Sequence, residues 1–280
     1  MIRVKITTNW CDDLEIREEF NKCTKNNDYR WNDLYLIPPS EGDTYDYVVV
    51  INFTPQNIRL KDAIIFDAET YPSRSQWAYL YTDKSKFFKH FSTEQYYTLD
   101  KWYVNRTYQE LLITPQKTKI MSGIISGNNF LEGHQDRLNF CFYYLDNLPY
   151  YDHYSRDELN LRSYKGALDD KADGLMSYRY TFNAENYKEN NYITEKLLDS
   201  ILCETLTFYD GAPNVSQHID PRCFITIDLK KPGEALEIIK TAIKNNEWEK
   251  RIEFIRAEKK RLMNERNILN IIDKIIKKEI

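Results

Sequence analysis

Apolar residues in the first part of the chain form short continuous runs separated by stretches with helical spacing. The runs at residues 2–7, 47–53 and 63–66 predict strands, and the second is so rich in β-branched residues that burial on both faces is expected. Helical spacing over residues 13–25 and 76–81 places helices between these strands. Such alternation is typical of an α/β layer built on a parallel sheet.

The pattern restarts near Pro115, which indicates a second domain of the same class. Its predicted elements are strands at 119–126, 178–185, 206–211 and 224–229, an amphipathic helix at 135–148, and a helix from Pro232 to Asn245. We therefore divide the chain into an N-terminal domain at 1–117, a second domain at 118–246, and a helical extension at 247–280.

The last 33 residues are highly charged and contain neither glycine nor proline, which predicts a long helix. A narrow apolar stripe runs along it through Ile252, Ile255, Leu262, Ile268, Ile271, Ile272 and Ile275. We interpret this segment as a terminal helix laid over the domain junction, with an irregular coiled-coil stem as the alternative. The chain is accordingly expected to be a monomer or a homodimer.

Composition narrows the classes of function. Among the 280 residues 42% are hydrophobic and 29% charged, and the net charge is −4, so the chain has a globular composition without a basic field for nucleic acid. No apolar run approaches the ~20 residues of a membrane span. The N-terminal residues predict a strand rather than a signal peptide. These features predict a soluble, cytoplasmic protein.

Cofactor motifs are sparse. The cysteines number five, an odd count without a C-x-x-C pair, so we expect reduced thiols and neither a zinc site nor a disulfide framework. No G-x-G-x-x-G follows a predicted strand, which argues against a dinucleotide-dependent enzyme. The Asp pairs at 12–13 and 169–170 follow no hydrophobic strand and are interpreted as surface charge, so no metal is expected.

The most informative segment is residues 182–196, FNAENYKENNYITEK, which joins a strand end, a polar loop and a helix start. Helix-spaced leucines and a further strand follow it, so the segment belongs to a βαβ unit. Ligands of such units bind beyond the carboxyl ends of the strands, where helix N-termini favour phosphate groups. The segment therefore predicts a site for a nucleotide-type anion.

The same residues resemble the inverting, metal-independent α1,3-fucosyltransferases. The resemblance rests on Tyr180, the Glu185-Asn186 pair, the run from Tyr192 to Lys196 (YITEK), Gly211, and residues 214–228. A weaker similarity includes Ser126, Asn128 and Arg137 at the head of a helix, and Glu69 at the end of a first-domain strand. The C-terminal half is covered well and the N-terminal half in outline.

The resemblance implies an α/β protein of the GT-B fold, with two Rossmann-like domains facing across a cleft and a C-terminal helix. It implies that Lys196, Arg137 and the helix start at Thr194 hold a diphosphate, and that Glu195 accepts hydrogen bonds from ribose hydroxyls. It assigns Asn186 to the base or ribose, Tyr192 to a phosphate oxygen, and Glu69 as the catalytic base. Weaker substrate contacts are expected from Ser126, Asn128, His134 and Glu185.

The donor sugar stays open at this point. The family's Gly-Thr-Ile-Pro between the donor helix and the next strand is replaced here by CETLTF at residues 203–208. A UDP-pentose such as UDP-xylose, used by a viral or microbial relative, is therefore an alternative to GDP-fucose. The expected partners are a nucleotide sugar and a glycan or glycoprotein acceptor, and the expected function is transfer of one sugar. The alternative is a catalytically inactive nucleotide-sugar or carbohydrate-binding protein of the same fold.

Overall fold

The computed structural model describes residues 1–92 and 101–280, apart from the side chain of Tyr71. Its strands are β1 (Ile2–Thr8), β2 (Arg30–Trp31), β3 (Leu34–Leu36), β4 (Tyr47–Ile51), β5 (Ala63–Asp67), β6 (Lys89–Ser92), β7 (Lys119–Ile124), β8 (Tyr151–Tyr154), β9 (Tyr178–Ala184), β10 (Leu206–Asp210) and β11 (Phe224–Thr226). Its α-helices are α1 (Asp13–Asn21), α2 (Tyr71–Arg74), α3 (Tyr108–Leu112), α4 (Glu132–Phe140), α5 (Glu195–Leu202), α6 (Pro232–Lys244), α7 (Glu247–Met263) and α8 (Ile268–Ile276).

These elements form two compact units. The first comprises Met1–Lys101, Arg106–Leu112 and Met263–Ile280, and the second comprises Trp102–Asn105 and Ile113–Leu262. The extension expected at 247–280 is thus divided, because α7 lies in the second unit and α8 in the first. Each unit contains its own sheet.

The sheet of the first unit has the order β2-β3-β1-β4-β5-β6. Its strands are parallel except for the short β2, which pairs antiparallel with β3. As expected for a parallel sheet, β4 is buried on both faces, with Val48, Val49 and Val50 fully inaccessible. Helix α1 begins where the Asp12 side chain accepts hydrogen bonds from the backbone N–H groups of Leu14 and Glu15.

The sheet of the second unit has the order β11-β10-β9-β7-β8, and all of its strands are parallel. From β7 the chain passes to β8 on one side and then to β9 on the other side of β7. The strand order therefore reverses between β7 and β9. In open α/β sheets this reversal creates a crevice between the loops that leave the two strands.

Several predicted elements are shorter in the structure. Residues 76–81 contain a 3₁₀ turn at Ala78–Tyr81, and the helix predicted at 135–148 is α4 followed by a π-helical turn at Cys141–Leu145. Strands β2, β3, β6 and β8 were not predicted, since their two to four residues carry too little apolar periodicity.

The single long C-terminal helix was also a wrong prediction. Helix α7 ends at Met263. The Asn267 side chain then caps the start of α8 by accepting a hydrogen bond from the Leu269 N–H. Most residues of the predicted stripe are nevertheless buried, namely Ile255, Leu262, Ile268, Ile271, Ile272 and Ile275. The stripe therefore packs within the chain. Across the described parts of the chain, the helices are all too short or too polar to cross a membrane.

Candidate functional site

The carboxyl edge of the second sheet brings together two polar loops at the point where the strand order reverses. Residues 125–131 leave β7 and lead into α4, whereas residues 185–194 leave β9 and lead into α5. Most of the residues singled out from the sequence lie on these loops or on the first turns of the two helices. The fold thus places the candidate site at the expected crevice.

Arg137 on α4 is the central cation of this edge. Its side chain is buried, with 4% of the residue exposed, and its Nη1 donates to Asn186 Oδ1 at 2.7 Å. Its Nη2 donates to Ser126 Oγ at 3.1 Å, while its Nε has no hydrogen-bond partner in the described part of the chain. Burial lowers the pKa of Arg137 from its ordinary value. Its hydrogen-bond acceptors are neutral, whereas the nearby Glu185 and Glu195 carboxylates act on it through space. A buried guanidinium in this setting favours an anionic ligand that bonds to it directly.

His134 supports the same cluster one turn earlier on α4. Its ring is buried, and its Nδ1 accepts a hydrogen bond from the Leu131 N–H at 3.3 Å. Burial lowers the pKa of His134, and the nearby Arg137 charge lowers it further against a hydrogen bond with Asn186. A neutral imidazole is therefore expected near pH 7, which makes this histidine a positioning group rather than a further cation.

A glycine lets the start of α4 approach the β9 loop. A Cβ atom at Gly133 would lie 2.5 Å from the backbone oxygen of Asn186 and 2.7 Å from that of Glu185. These distances are far shorter than a carbon–oxygen contact allows, so a side chain would force the two backbones apart. Gly133 was not singled out from the sequence, because nothing in its local pattern distinguishes it from a helix-start residue.

Glu185, at the end of β9, organises the start of α5. Its carboxylate accepts hydrogen bonds from the Thr194 N–H at 3.0 Å and from the Thr194 hydroxyl at 2.8 Å. It also accepts one from the Tyr209 hydroxyl at 3.1 Å, and Lys196 Nζ lies 3.4 Å from Oε2. Glu185 is only 2% exposed. It therefore holds the helix start and its lysine in place and is saturated by protein donors.

Helix α5 begins with Thr194 as its N-cap, and its first turn presents Glu195 and Lys196. The Thr194 hydroxyl accepts a hydrogen bond from the Lys196 N–H, and Lys196 Nζ lies 3.3 Å from Glu195 Oε1. Burial raises the pKa of the Glu195 carboxyl, but the Lys196 and Lys171 charges outweigh it and lower that pKa to about 2. Burial likewise opposes the charge of Lys196, whereas Glu195 and Glu185 outweigh it and raise its pKa. Both side chains are therefore ionised at neutral pH.

Two buried polar residues, Asn183 and Asp199, fix α5 against its surroundings. Asn183 Nδ2 on β9 donates to the Lys196 carbonyl oxygen at 2.7 Å and to Ser200 Oγ at 3.1 Å. On α5, the fully buried Asp199 pairs with Lys171 Nζ at 2.7 Å and accepts the Tyr103 N–H at 3.0 Å. Neither residue was singled out from the sequence, although a polar Asn183 within a strand and an Asp199 among helix-spaced leucines were visible signals.

The remaining predicted residues divide between the two units. Tyr192 is buried in the loop that leads into α5, whereas Asn128 is exposed on the loop after β7. Glu69 lies in the first unit, half-buried, two residues after the end of β5. The structure thus joins seven of the predicted residues through hydrogen bonds and ion pairs at one edge, namely Ser126, Arg137, Glu185, Asn186, Thr194, Glu195 and Lys196. His134 lies beside them on α4. In the described ranges, no group of three or more His, Cys, Asp or Glu side chains is arranged to hold a metal ion.

Comparison with solved structures identifies the class of this fold. No protein-family profile matches the chain. A DNA-modifying β-glucosyltransferase superimposes over 99% of this chain and 100% of its own, with a TM-score of 0.56 and 10% identity. The T4 phage enzyme in complex with UDP and Mn²⁺ covers 98% of this chain and 99% of its own, with a TM-score of 0.51 and 12% identity. The fold is GT-B, the architecture of two Rossmann-like units found in many glycosyltransferases.

A local sequence match links part of the chain to one glycosyltransferase. The α-(1,3)-fucosyltransferase FucT of Helicobacter pylori is 32% identical over 71 residues, which are 25% of this chain and 15% of the length of that enzyme. A crystal structure of an α1,3-fucosyltransferase aligns with 90% of this chain and 81% of its own at 19% identity, with a TM-score of 0.46. The local match supports the fucosyltransferase-like resemblance found in the residues.

Proposed function

We propose that this protein is an inverting glycosyltransferase, which moves one sugar from a nucleotide-diphosphate sugar to a hydroxyl group of a glycan. The observation that carries the proposal is Arg137, a buried guanidinium whose acceptors are the neutral Asn186 and Ser126. It lies where α/β sheets bind ligands, and it is oriented by a glycine-dependent contact between two loops. A diphosphate supplies acceptors of opposite charge directly to this guanidinium, whose hydrogen-bond partners are neutral.

The donor half of the site has a separate role for each residue. Arg137 and Lys196 stabilise the negative charge that develops on the departing diphosphate, and preorganised donors of this kind are worth most in a shielded site. Glu195, ionised and partly exposed, accepts hydrogen bonds from the ribose hydroxyls. Asn186 contacts the base or ribose, and Tyr192 donates to a phosphate oxygen.

The acceptor half needs a base. In this proposal Glu69 takes the proton of the acceptor hydroxyl while that oxygen forms a bond to the anomeric carbon of the donor sugar. The bond from that carbon to the diphosphate oxygen breaks on the opposite face, and the nucleoside diphosphate leaves with its electron pair. An ordinary carboxylate is ionised at neutral pH and suits this task. Support for Glu69 is its placement at the carboxyl end of β5 and the family resemblance.

Two donors are compatible with these residues, GDP-fucose and a UDP-pentose such as UDP-xylose. The curated relative is a fucosyltransferase, whereas the structural neighbour with the higher TM-score acts with uridine diphosphoglucose. Both donor classes share the diphosphate and ribose that this site is proposed to hold. Isothermal titration with GDP, UDP and their sugar conjugates tests the proposal and selects the base.

The matched variants for this titration are Arg137→Ala and Arg222→Ala. Arg222 is an exposed arginine of the same unit, paired with Asp220, and its removal is expected to leave nucleotide binding unchanged. Loss of binding in Arg137→Ala alone supports the proposed site. Absence of nucleotide binding by the wild-type chain contradicts the proposed function.

We further propose that no metal is required, since Arg137, Lys196 and the start of α5 supply positive charge to the diphosphate. The structure of the T4 phage neighbour is a complex with UDP and Mn²⁺, so the question needs a direct test. Nucleotide affinity and sugar transfer are expected to persist in EDTA. A strict requirement for added Mn²⁺ or Mg²⁺ contradicts this part of the proposal.

The alternative is a binding protein of the same fold that lacks transfer. It predicts tight nucleotide-sugar binding and no product with any glycan acceptor. A product assay with a panel of fucosyl and xylosyl acceptors separates it from the enzyme.

A further inference from the structure

An exposed aromatic ring stands beside the Arg137 cluster. Phe130 lies on the loop between β7 and α4, and 72% of the residue is exposed. Its ring packs edge-on against the buried ring of His134, with 4.4 Å between the centroids. The phenyl ring is thus packed against His134, while most of its surface is exposed to solvent.

A short chain of contacts connects this ring to the proposed phosphate site. His134 lies one turn before Arg137 on α4, and Arg137 donates a hydrogen bond to Asn186 on the β9 loop. On the other loop of the crevice, Tyr187 follows Asn186 directly and is 40% exposed. Both loops at the reversal of strand order therefore carry an exposed aromatic residue, one packed on His134 and one adjacent in sequence to Asn186.

We propose that Phe130 is the stacking platform for the nucleobase of the donor, with Tyr187 as a second aromatic contact. The inference rests on the proposed function and names the part of the nucleotide that this surface recognises. In a nucleoside diphosphate the ribose separates the base from the phosphates, so a base platform belongs beside the cations and not among them. Every base has a π-face, and stacking on an aromatic ring contributes substantially to nucleotide binding.

Single exposed apolar residues are common on protein surfaces, and the chain offers one as a control. Tyr143, in the π-helical turn after α4, is also 72% exposed. Its position lies at the opposite end of that helix from the β7 loop. Comparing alanine variants of Phe130 and Tyr143 therefore separates a ring at the crevice from a ring of equal exposure elsewhere in the same unit.

The experiment is isothermal titration of the full chain with GDP, UDP and inorganic pyrophosphate. Pyrophosphate contains the diphosphate without base or ribose. Phe130→Ala is expected to weaken GDP binding about ten-fold and UDP binding less, because a purine offers a larger face, and to leave pyrophosphate binding unchanged. Tyr143→Ala is expected to bind all three probes like the wild type, and Phe130→Trp is expected to keep GDP affinity.

Other outcomes distinguish a failure of the base platform from a failure of the proposed function. Wild-type affinity of Phe130→Ala for GDP overturns the base platform and leaves the proposed function intact. An equal loss for GDP and pyrophosphate also overturns it, since Phe130 then supports the loop rather than the base. If the wild-type chain binds none of the three probes, the proposed function fails and this inference fails with it.

Discussion

Both sheets reverse their strand order, but the side chains at their carboxyl edges differ in chemistry. At the edge of the second unit, Arg137, Asn186, Glu185 and Lys196 form a linked set of ionised and polar side chains. At the edge of the first unit, Asn52 Oδ1 accepts the Ala68 N–H at 3.1 Å. The first edge uses Asn52 to shape a turn and pairs its buried Lys5 with Asp13 at 2.8 Å, whereas Arg137 at the second edge donates to neutral acceptors.

Contacts around this turn of the first unit nevertheless fix the backbone that carries the Glu69 carboxylate. Asn52 has a left-handed backbone with φ of 62°, and Asp67 accepts the Trp77 indole N–H at 3.1 Å. Arg74 Nη1 donates to the backbone oxygen of Glu69 at 3.2 Å. These contacts hold the backbone on both sides of Glu69. We propose a division of labour, in which the second edge binds an anion and the first presents Glu69 as the base.

The strongest test of this division is Glu69→Gln. The amide keeps the size of the carboxylate but does not take a proton, so transfer is expected to fall by about 10²- to 10⁴-fold, the usual contribution of a general base. Nucleotide binding, measured by titration, is expected to remain at the wild-type value. Glu41→Gln is the control, because Glu41 is a carboxylate of the same unit that pairs with Arg3. Normal transfer by Glu69→Gln removes Glu69 as the base.

The next test concerns Arg137→Ala. Loss of one preorganised cation at the leaving group is expected to lower kcat by about 10²- to 10³-fold. The partners left behind, Asn186 and Ser126, are neutral, so the thermal midpoint is expected to change little. Steady-state kinetics and a melting curve are measured on the same preparation. A variant that unfolds instead of losing turnover indicates a structural role for Arg137.

Whether a residue of this edge could be predicted depends on whether its role is visible in the local sequence. Helix-start and strand-end residues such as Asn186 and Lys196 were singled out because they lie close together in one recognisable segment of the sequence. Gly133 and Lys171 were missed, because their roles depend on contacts with residues 185–186 and Asp199, far away in the sequence. Likewise, the parallel strands with β-branched runs were predicted, whereas β8 forms through pairing with β7 and has no such run.

Lys196→Ala is expected to behave differently from Arg137→Ala, although both remove a cation. Lys196 lies within 3.4 Å of the buried Glu185 carboxylate, which would lose its ion-pair partner. Breaking a buried pair from one side is destabilising, so we expect a loss of about 2 kcal/mol in the free energy of unfolding besides slower transfer. Urea titration measures this loss. A Lys196→Ala protein as stable as the wild type shows that Thr194 and Tyr209 alone satisfy Glu185.

The smallest expected effect is that of Glu195→Gln, and its pH dependence makes it informative. The folded-state pKa of Glu195 is lowered from the usual 4.5 to about 2, chiefly by Lys196 and Lys171 against the opposing effect of burial. The carboxylate therefore stays ionised down to about pH 3, and any stability that it contributes is lost only as the pH falls from about 4.5 toward 2. Replacing it by an amide weakens the hydrogen bonds to the ribose hydroxyls, so nucleotide affinity is expected to fall about ten-fold.

The ratio of wild-type to Glu195→Gln affinity for the preferred nucleotide is expected to be constant between pH 8 and 5. Taking the ratio cancels the titration of the phosphates, which is common to both proteins. A ratio that declines through pH 6 means that the carboxylate titrates there, and the Lys196 and Lys171 charges then do not hold it ionised. Equal affinities at all pH values remove Glu195 from the ribose contact and leave the diphosphate contacts of Arg137 as the basis of the donor site.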